Sequence, residues 1–256
     1  MENKSPSFSV YVAEFIGTAL LVLLGISVVT LIFGEGAFVA DVIPSLRLRR
    51  ILSGFIFGSI GAIISVTKIG RISGAHINPA VTMVFLFFGK IDLKTAAGYV
   101  LAQFAGAVAG ALPLLAWGSM GASIEYGATV PGAEYPIWEA LFGEFITTFI
   151  MVTLLVLFLA FRETRSFTPL IFPILYAIMV PLEAPLSGIS TNPARSFGPA
   201  VISGEWKGFW IYIVGPYMGA LVASVLCSSF AKRITQARVY QFDSSHDLLL
   251  RKRKNV

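Results

Sequence analysis

Charged residues are scarce in this sequence. Only 13% of its 256 residues are Asp, Glu, Lys or Arg, whereas an average soluble domain has about 25%. Hydrophobic residues make up 56% of the chain, and its mean hydropathy is +0.79. This composition excludes an ordinary soluble domain and indicates a protein that lies in a lipid bilayer.

Cysteine and histidine are almost absent as well. Cys227 is the single cysteine, so no disulfide can form within the chain. His76 has no second histidine, cysteine or carboxylate at the spacing of a metal site, and we expect no bound metal. The sequence also lacks a catalytic triad pattern and a cofactor-binding loop. We therefore expect neither an enzyme nor a cofactor.

Long apolar runs occupy most of the chain. A membrane-spanning helix needs about 20 such residues. Six segments approach or exceed this length: 8–33, 51–67, 95–118, 137–161, 167–183 and 208–231. Two further runs, 80–89 and 194–204, reach only about 15 Å as helices and cannot cross a bilayer. We predict an all-α integral membrane protein with six transmembrane helices and two re-entrant half-helices.

Positive charge is unevenly distributed around these segments. With six spans, most basic residues fall on one side together with both termini: Lys4, Lys68, Arg71, Lys90, Lys94, Arg162, Arg165, Lys232, Arg233, Arg238 and 251–254. The positive-inside rule then places both termini in the cytoplasm. Arg47, Arg49 and Arg50 run against this rule, and we expect them in an outer loop or at the start of the second helix. The net charge of +5 is attributed to contact with anionic lipid or to solvated surface, not to nucleic-acid binding.

The chain contains an internal repeat. Asn78-Pro79-Ala80 recurs as Asn192-Pro193-Ala194, at an offset of 192 − 78 = 114 residues, and Ala13–Thr18 matches Gly143–Thr148. Each half has three spans, an odd number, so the second half enters the membrane from the opposite side. We predict one channel domain over 1–256, composed of a first repeat (8–118), a linker (119–135), a second repeat (136–231) and a basic cytoplasmic tail (232–256).

The repeated motif has a specific chemistry at a helix start. Proline is favoured in the first turn of a helix, and asparagine before it is a strong N-cap. In an inverted repeat the two starts face each other near the membrane midplane. Their amides can donate hydrogen bonds into a lumen, while the positive ends of two helix dipoles oppose cations and protons. The pattern indicates a narrow pore for neutral solutes.

Other polar residues accompany the motifs. Arg195 stands where the first half has Val81, and we expect it to line the pore, to bond backbone carbonyls of the preceding loop, or to do both. Glu14 and Glu144 lie in the first span of each half. We expect them to accept amide hydrogen bonds from the re-entrant loops, with a proton relay as the alternative. His76 is expected to brace its loop or to line the pore.

These motifs resemble those of the aquaporin, or major intrinsic protein, family. The resemblance spans about residues 8–231 and rests on 73–82, on 192–200 and on the two glutamate segments. It implies six membrane helices with two half-helices, a homotetramer with one pore in each subunit, and passive conduction without a cofactor.

The resemblance also implies a four-residue constriction. Arg195 is one member, Val180 lies twelve residues before the second motif's asparagine, and Ile189 lies three before it. The helix-two member, twenty residues before the first motif's asparagine, is Gly58, and a shift by one residue would place Phe57 there instead. Strict water channels of this family have histidine at the Val180 position and an aromatic residue at the helix-two position. Val180 and Gly58 depart from that pattern.

The expected solutes follow from two opposing features. An aliphatic constriction rejects carbon-bearing solutes poorly, which favours glycerol, urea, ammonia or hydrogen peroxide alongside water. Ser196 and the absence of a longer insertion near the second motif resemble the water-channel branch instead. We expect a channel for water and small uncharged solutes in the plasma membrane. The alternatives are a strict water channel and an ion-coupled transporter.

Overall fold

The fold is built from helices. The computed structural model describes residues 7–240. Eight helices in this range position the site: α1 (Phe8–Phe33), α2 (Leu46–Val66), α3 (Pro79–Phe87), α4 (Leu93–Ala111), α5 (Ile137–Ala160), α6 (Thr168–Ser187), α7 (Pro193–Ser203) and α8 (Ile211–Leu226). The predicted arrangement of six spans and two half-helices is confirmed.

The spanning helices differ from the predicted segments mainly at their ends. Within residues 7–240, five helical segments are long and apolar enough to cross a membrane, and α8 is a shorter apolar helix of 16 residues. α2 begins earlier than predicted, so Arg47, Arg49 and Arg50 lie in its first turns. Arg49 Nη1 donates to the Ile32 carbonyl at 3.2 Å. The arginines that ran against the charge rule thus start a helix, and one of them ties it to α1.

The two halves pack alike. α1 packs against α4 in the first half, α5 against α8 in the second, and α2 against α6 between them. Glycine allows each close approach: a Cβ on Gly106 would collide with the Phe15 carbonyl, and one on Gly219 with the Phe145 carbonyl. Small residues of this kind let membrane helices approach closely. The pseudo-symmetry therefore includes the backbone contacts that position the half-helices.

The half-helices begin as the motif chemistry requires. Asn78 caps α3 and accepts the Ala80 N–H at 2.8 Å, while Asn192 caps α7 and accepts the Ala194 N–H at 3.1 Å. α3 has nine residues and α7 has 11, which gives lengths of about 14 and 17 Å. Neither half-helix can cross a bilayer.

The segments outside the repeats are more ordered than a polar linker and a tail suggest. α4 continues as a 3-10 turn, Leu112–Trp117, at the end of the predicted first repeat, and a short helix, Gly118–Ala122, extends into the predicted linker. Residues 232–240 of the predicted basic tail are described, and 241–256, including the basic run 251–254, lie outside the described residues. The division into repeats, linker and tail stays a prediction.

Candidate functional site

The two asparagines join the re-entrant loops. Asn78 Nδ2 donates to the Thr191 carbonyl at 2.9 Å, and Asn192 Nδ2 donates to the Ile77 carbonyl, also at 2.9 Å. An asparagine NH₂ group has two hydrogens, so each of these crossed bonds leaves one more N–H. Both asparagines line a common cavity. Each loop therefore orients the other loop's asparagine while a donor remains at the cavity.

The backbone before each motif is strained at matching positions. Positive φ angles occur at three residues in each loop: Gly74 (95°), Ala75 (55°) and Ile77 (40°), then Gly188 (80°), Ile189 (49°) and Thr191 (54°). Such angles are costly for residues other than glycine and persist only where the surroundings enforce them. In each loop, a buried glutamate makes the bonds that do so.

Glu14 braces the first loop. Its Oε1 accepts the His76 N–H at 2.9 Å, and its Oε2 accepts the Ile77 N–H at 2.6 Å. Gln103 Nε2 also donates to Oε2, at 2.7 Å. Glu14 is fully buried. These contacts support the expected loop-bracing role, which stays a prediction.

Glu144 holds the second loop in the same way. Its Oε1 accepts the Ser190 N–H at 2.7 Å, and its Oε2 accepts the Thr191 N–H at 2.8 Å. The third donor is the Ser187 hydroxyl, at 2.6 Å from Oε1. The third donor thus differs between the halves: the amide of Gln103 donates to Oε2 of Glu14, whereas a hydroxyl donates to Oε1 of Glu144.

Glu183 is a buried carboxyl that the sequence reasoning missed. Its Oε1 lies within hydrogen-bond distance of Ser187 Oγ, which also contacts Glu144 and accepts the Ile189 N–H at 3.0 Å. A hydroxyl has one hydrogen and two acceptor sites. Ser187 can therefore donate to one carboxyl only, and the other must donate to it. Because Glu144 already accepts two backbone N–H groups, Glu183 is the protonated partner. A carboxyl in the apolar run of α6 was the signal available.

Arg195 contacts both the backbone and a cavity, although its carbonyl partner lies in the segment between the halves and not in the preceding loop. Its Nη1 donates to the Gly127 carbonyl at 2.8 Å, from the segment that links the two halves. The side chain also lines a cavity, and its guanidinium carbon lies 5.6 Å from the centre of the Phe57 ring. The bond to Gly127 holds the charge in place beside the lumen.

Two cavities follow one another along the junction of the halves. The first, which we call the Arg195 cavity, has a volume of about 260 Å³ and is lined by Arg195, Val180 and Ile189 among others. The second, the asparagine cavity, has a volume of about 60 Å³ and is lined by Asn78 and Asn192 among others. Since about 10–15 Å³ of such space holds one water, the asparagine cavity has room for a few water molecules.

Gly58, the predicted helix-two residue of the constriction, does not line the same cavity as the other three predicted constriction residues. Gly58 lines the asparagine cavity and packs on α6, where a Cβ would lie 2.5 Å from the Phe172 carbonyl oxygen. Phe57, one residue earlier, lines the Arg195 cavity and faces the guanidinium. The structure therefore brings Phe57, not Gly58, beside Arg195.

His76 connects the first loop to the C-terminal segment. Its ring nitrogens lie 3.2 Å from Thr82 Oγ1 and 3.1 Å from the Ala237 carbonyl oxygen. The Val239 N–H donates to the Gly74 carbonyl at 2.9 Å, and the buried Val239 side chain lines the asparagine cavity. This segment belongs to the predicted basic tail, and its short run of mixed composition gives no sign of the contact.

The fold and this site define a class of protein. Helices long enough to cross a membrane surround two half-helices that meet at their starts, and polar side chains line cavities along their junction. Such irregular backbone is tolerated at membrane depth where it lines a water-filled path. This is the architecture of a transmembrane channel.

The chain belongs to the major intrinsic protein family: residues 2–227 match the family model Major intrinsic protein. Aquaporin AqpM of Methanothermobacter marburgensis is 33% identical over 232 residues, which cover 84% of this chain and 94% of that protein. Aquaporin NIP1-3 of Oryza sativa subsp. japonica is 31% identical over 228 residues, which cover 87% and 75%. The aquaglyceroporin structure from Plasmodium falciparum matches with a TM-score of 0.69 at 23% identity, over 88% of this chain and 95% of that one.

Membership of this family establishes the general function. The protein is a multi-pass integral membrane channel for water or small neutral solutes, and it is not an enzyme. The structural match supports the same fold.

Proposed function

We propose that the protein is a passive channel that conducts water and small uncharged solutes while excluding protons and ions. The observation that carries this proposal is the pair of crossed bonds from Asn78 and Asn192, which sets two half-helix starts against each other. Each start carries about half a positive elementary charge, so the junction repels cations. A neutral solute that accepts hydrogen bonds meets the remaining asparagine N–H groups without that penalty.

Coupling to an ion gradient is the rival mechanism. It would need titratable groups that are free to exchange ions or protons along the path. Glu14 and Glu144 each accept two backbone N–H groups, and His76 is placed between Thr82 and Ala237. These contacts favour structural roles for all three, and so favour passive conduction.

The constriction of this channel is proposed to consist of Phe57, Val180, Ile189 and Arg195. All four line the Arg195 cavity. Phe57 takes the helix-two position for which the sequence suggested Gly58. The aliphatic Val180 and Ile189 support entry of carbon-bearing solutes such as glycerol and urea as far as this cavity, and a strict water channel is the alternative.

The assembly and topology complete the proposal. We place the protein in the plasma membrane with both termini in the cytoplasm, as a homotetramer with one pore in each subunit. Lipid and neighbouring subunits would cover the large apolar side chains that the monomer exposes along its helices, such as Leu101, Ile174 and Leu182. Family membership supports the tetramer, and the distribution of basic residues supports the orientation.

Proteoliposomes test the proposed function. We expect stopped-flow light scattering to give a water permeability well above that of empty liposomes, without current under voltage clamp. Solute transport that follows an imposed proton or sodium gradient would favour the coupled transporter. Absence of water permeability in correctly folded tetramers would overturn the proposal.

A further inference from the structure

The two cavities meet at a neck. Of the residues that the structure describes, three line both the Arg195 cavity and the asparagine cavity: Phe57, Tyr176 and Ser190. Arg195 lines only the first cavity, and Asn78 and Asn192 line only the second. A solute that has passed Arg195 must therefore pass this neck before it reaches the asparagines.

Two aromatic rings narrow the neck. The ring centres of Phe57 and Tyr176 are 6.3 Å apart, and the ring planes are inclined by 36°. Aromatic rings in contact have centres about 4.5–7 Å apart, so these rings lie within contact range of each other. The passage is confined to the space beside them, along Ser190.

The Tyr176 ring is fixed through its hydroxyl. Thr191 Oγ1 donates to the Ser190 carbonyl at 2.7 Å, so its single hydrogen is already used. Tyr176 must then be the donor in its own bond to Thr191 Oγ1. The Thr191 N–H in turn donates to Glu144 at 2.8 Å. The loop brace therefore also holds the ring that narrows the pore.

The backbone around the neck has little freedom to widen it. Gly54 and Gly58 of α2 lie against the carbonyls of Tyr176 and Phe172 in α6, so closely that a Cβ at either glycine would collide. α2 carries one ring of the neck and α6 carries the other. Because close backbone packing stabilises this helix pair, we expect the ring separation to change through side-chain rotamers and not through movement of the helices.

We propose that the Phe57–Tyr176 pair sets the size limit of this pore, so that it selects water-sized solutes such as water, ammonia and hydrogen peroxide over glycerol and urea. The proposal rests on the proposed function, since it assumes conduction along this path. It assigns specificity to a residue, Tyr176, that lies outside the four-residue constriction. In this arrangement the aliphatic side chains of Val180 and Ile189 let carbon-bearing solutes enter the Arg195 cavity, and the neck beyond that cavity stops them from passing further.

Substitution of Tyr176 tests the neck. In Tyr176→Val we expect glycerol and urea permeability to rise about tenfold or more, because a size restriction of this kind discriminates by roughly 10–200-fold. Water permeability should change far less. Tyr176→Phe keeps the ring and removes the bond to Thr191, so its glycerol permeability should fall between those of the wild type and Tyr176→Val.

Val29→Ala is the matched control, because Val29 lines the Arg195 cavity but belongs neither to the neck nor to the proposed constriction. We expect it to leave glycerol permeability low. High glycerol permeability in the wild type would overturn the proposal that the neck sets the size limit. So would an unchanged glycerol permeability in a Tyr176→Val tetramer that still conducts water. Absence of water conduction in the wild type would instead overturn the proposed channel function, so the two failures are distinguishable.

Discussion

The two re-entrant loops have the same construction but different surroundings. Tyr99 donates its hydroxyl to the Ser73 carbonyl at 2.7 Å, and Tyr212 donates to the Ser187 carbonyl at 2.6 Å. In both loops a serine hydroxyl accepts the N–H two residues later, at 3.1 Å in the first loop and 3.0 Å in the second. Equivalent tyrosine and serine hydrogen bonds thus support the strained backbone in both loops.

The differences lie in what covers each loop. The C-terminal segment covers the first loop, through Ala237 and Val239. The segment between the halves covers the second, through the Gly127 carbonyl that holds Arg195. Val81 occupies the position equivalent to Arg195. The symmetric parts support the backbone, whereas the asymmetric parts include the residues that we propose to select solutes and charges.

Neutralising Glu14 or Glu144, the glutamates that bond the two loops, should have the largest effect, which is a loss of stability. Glu14→Gln and Glu144→Gln each turn an amide NH₂ towards backbone N–H groups that now donate to a carboxylate. Leaving a buried donor unsatisfied costs about 1–3 kcal/mol, and bonds to charged groups are at the upper end. We expect both variants to lower the free energy of unfolding by about 2 kcal/mol or more, measured by thermal unfolding in detergent.

The exposed Glu163, which lies between α5 and α6, provides the control for this pair. Glu163→Gln should leave the unfolding temperature unchanged. A large loss in one half and none in the other would show that the two braces are not energetically equivalent.

Replacing Arg195 by valine, the residue at the equivalent position of the first loop, should have the next largest effect, on the exclusion of protons and cations. Arg195→Val makes the second loop match the first and removes a positive charge beside the lumen. A unit charge at about 4 Å contributes about 1–4 kcal/mol in the dielectric range of a wet pore, so proton or cation flux should rise roughly tenfold or more. A pH-sensitive dye inside proteoliposomes measures this flux.

Arg50 is the matched control, because it lines the same cavity at the start of α2. Arg50→Val should raise the flux less, since Arg50 lies outside the four-residue constriction. Equal leaks in the two variants would mean that the charge of the cavity matters and its position does not.

Altering the C-terminal segment that covers the first loop should have a smaller effect, on water permeability. Val239→Gly removes the side chain that the C-terminal segment places in the asparagine cavity. A wider, less obstructed path should raise water permeability per channel by about twofold. Thr235→Gly alters the same segment at a residue that does not line the cavity, and it should leave permeability unchanged. An unchanged value in Val239→Gly would mean that this segment does not limit conduction.

Sequence patterns predicted the parts of the structure that depend on local chemistry. Apolar length predicted the spans, and the Asn-Pro starts predicted both half-helices, because capping acts within one turn. The choice between Gly58 and Phe57 at the helix-two position could not be made in this way. Which face of α2 meets the lumen depends on how Gly54 and Gly58 pack against α6, and the two glycines have no side chains to reveal it.

Contacts between distant segments were also beyond the sequence patterns. Val239 lies far along the chain from the Gly74 carbonyl that it bonds, and no motif connects them. Glu183 was overlooked because its role depends on a shared partner, Ser187, which also serves Glu144. Repeat symmetry predicts only what both halves contain, and Glu183 belongs to one half alone.

The smallest expected effect is the most specific test of that asymmetry. If Glu183 is the protonated partner of Ser187, then Glu183→Gln places an amide N–H donor where the acid O–H now donates. The Ser187–Glu144 bond is kept, but the amide buries a second N–H where Oε2 of Glu183 has no partner, so the free energy of unfolding should fall by about 1 kcal/mol. Glu144→Gln, one hydroxyl away, should cost more in the same thermal unfolding experiment. Equal losses would mean that Glu183 is ionised and that Ser187 donates to it, leaving Glu144 with only its backbone donors.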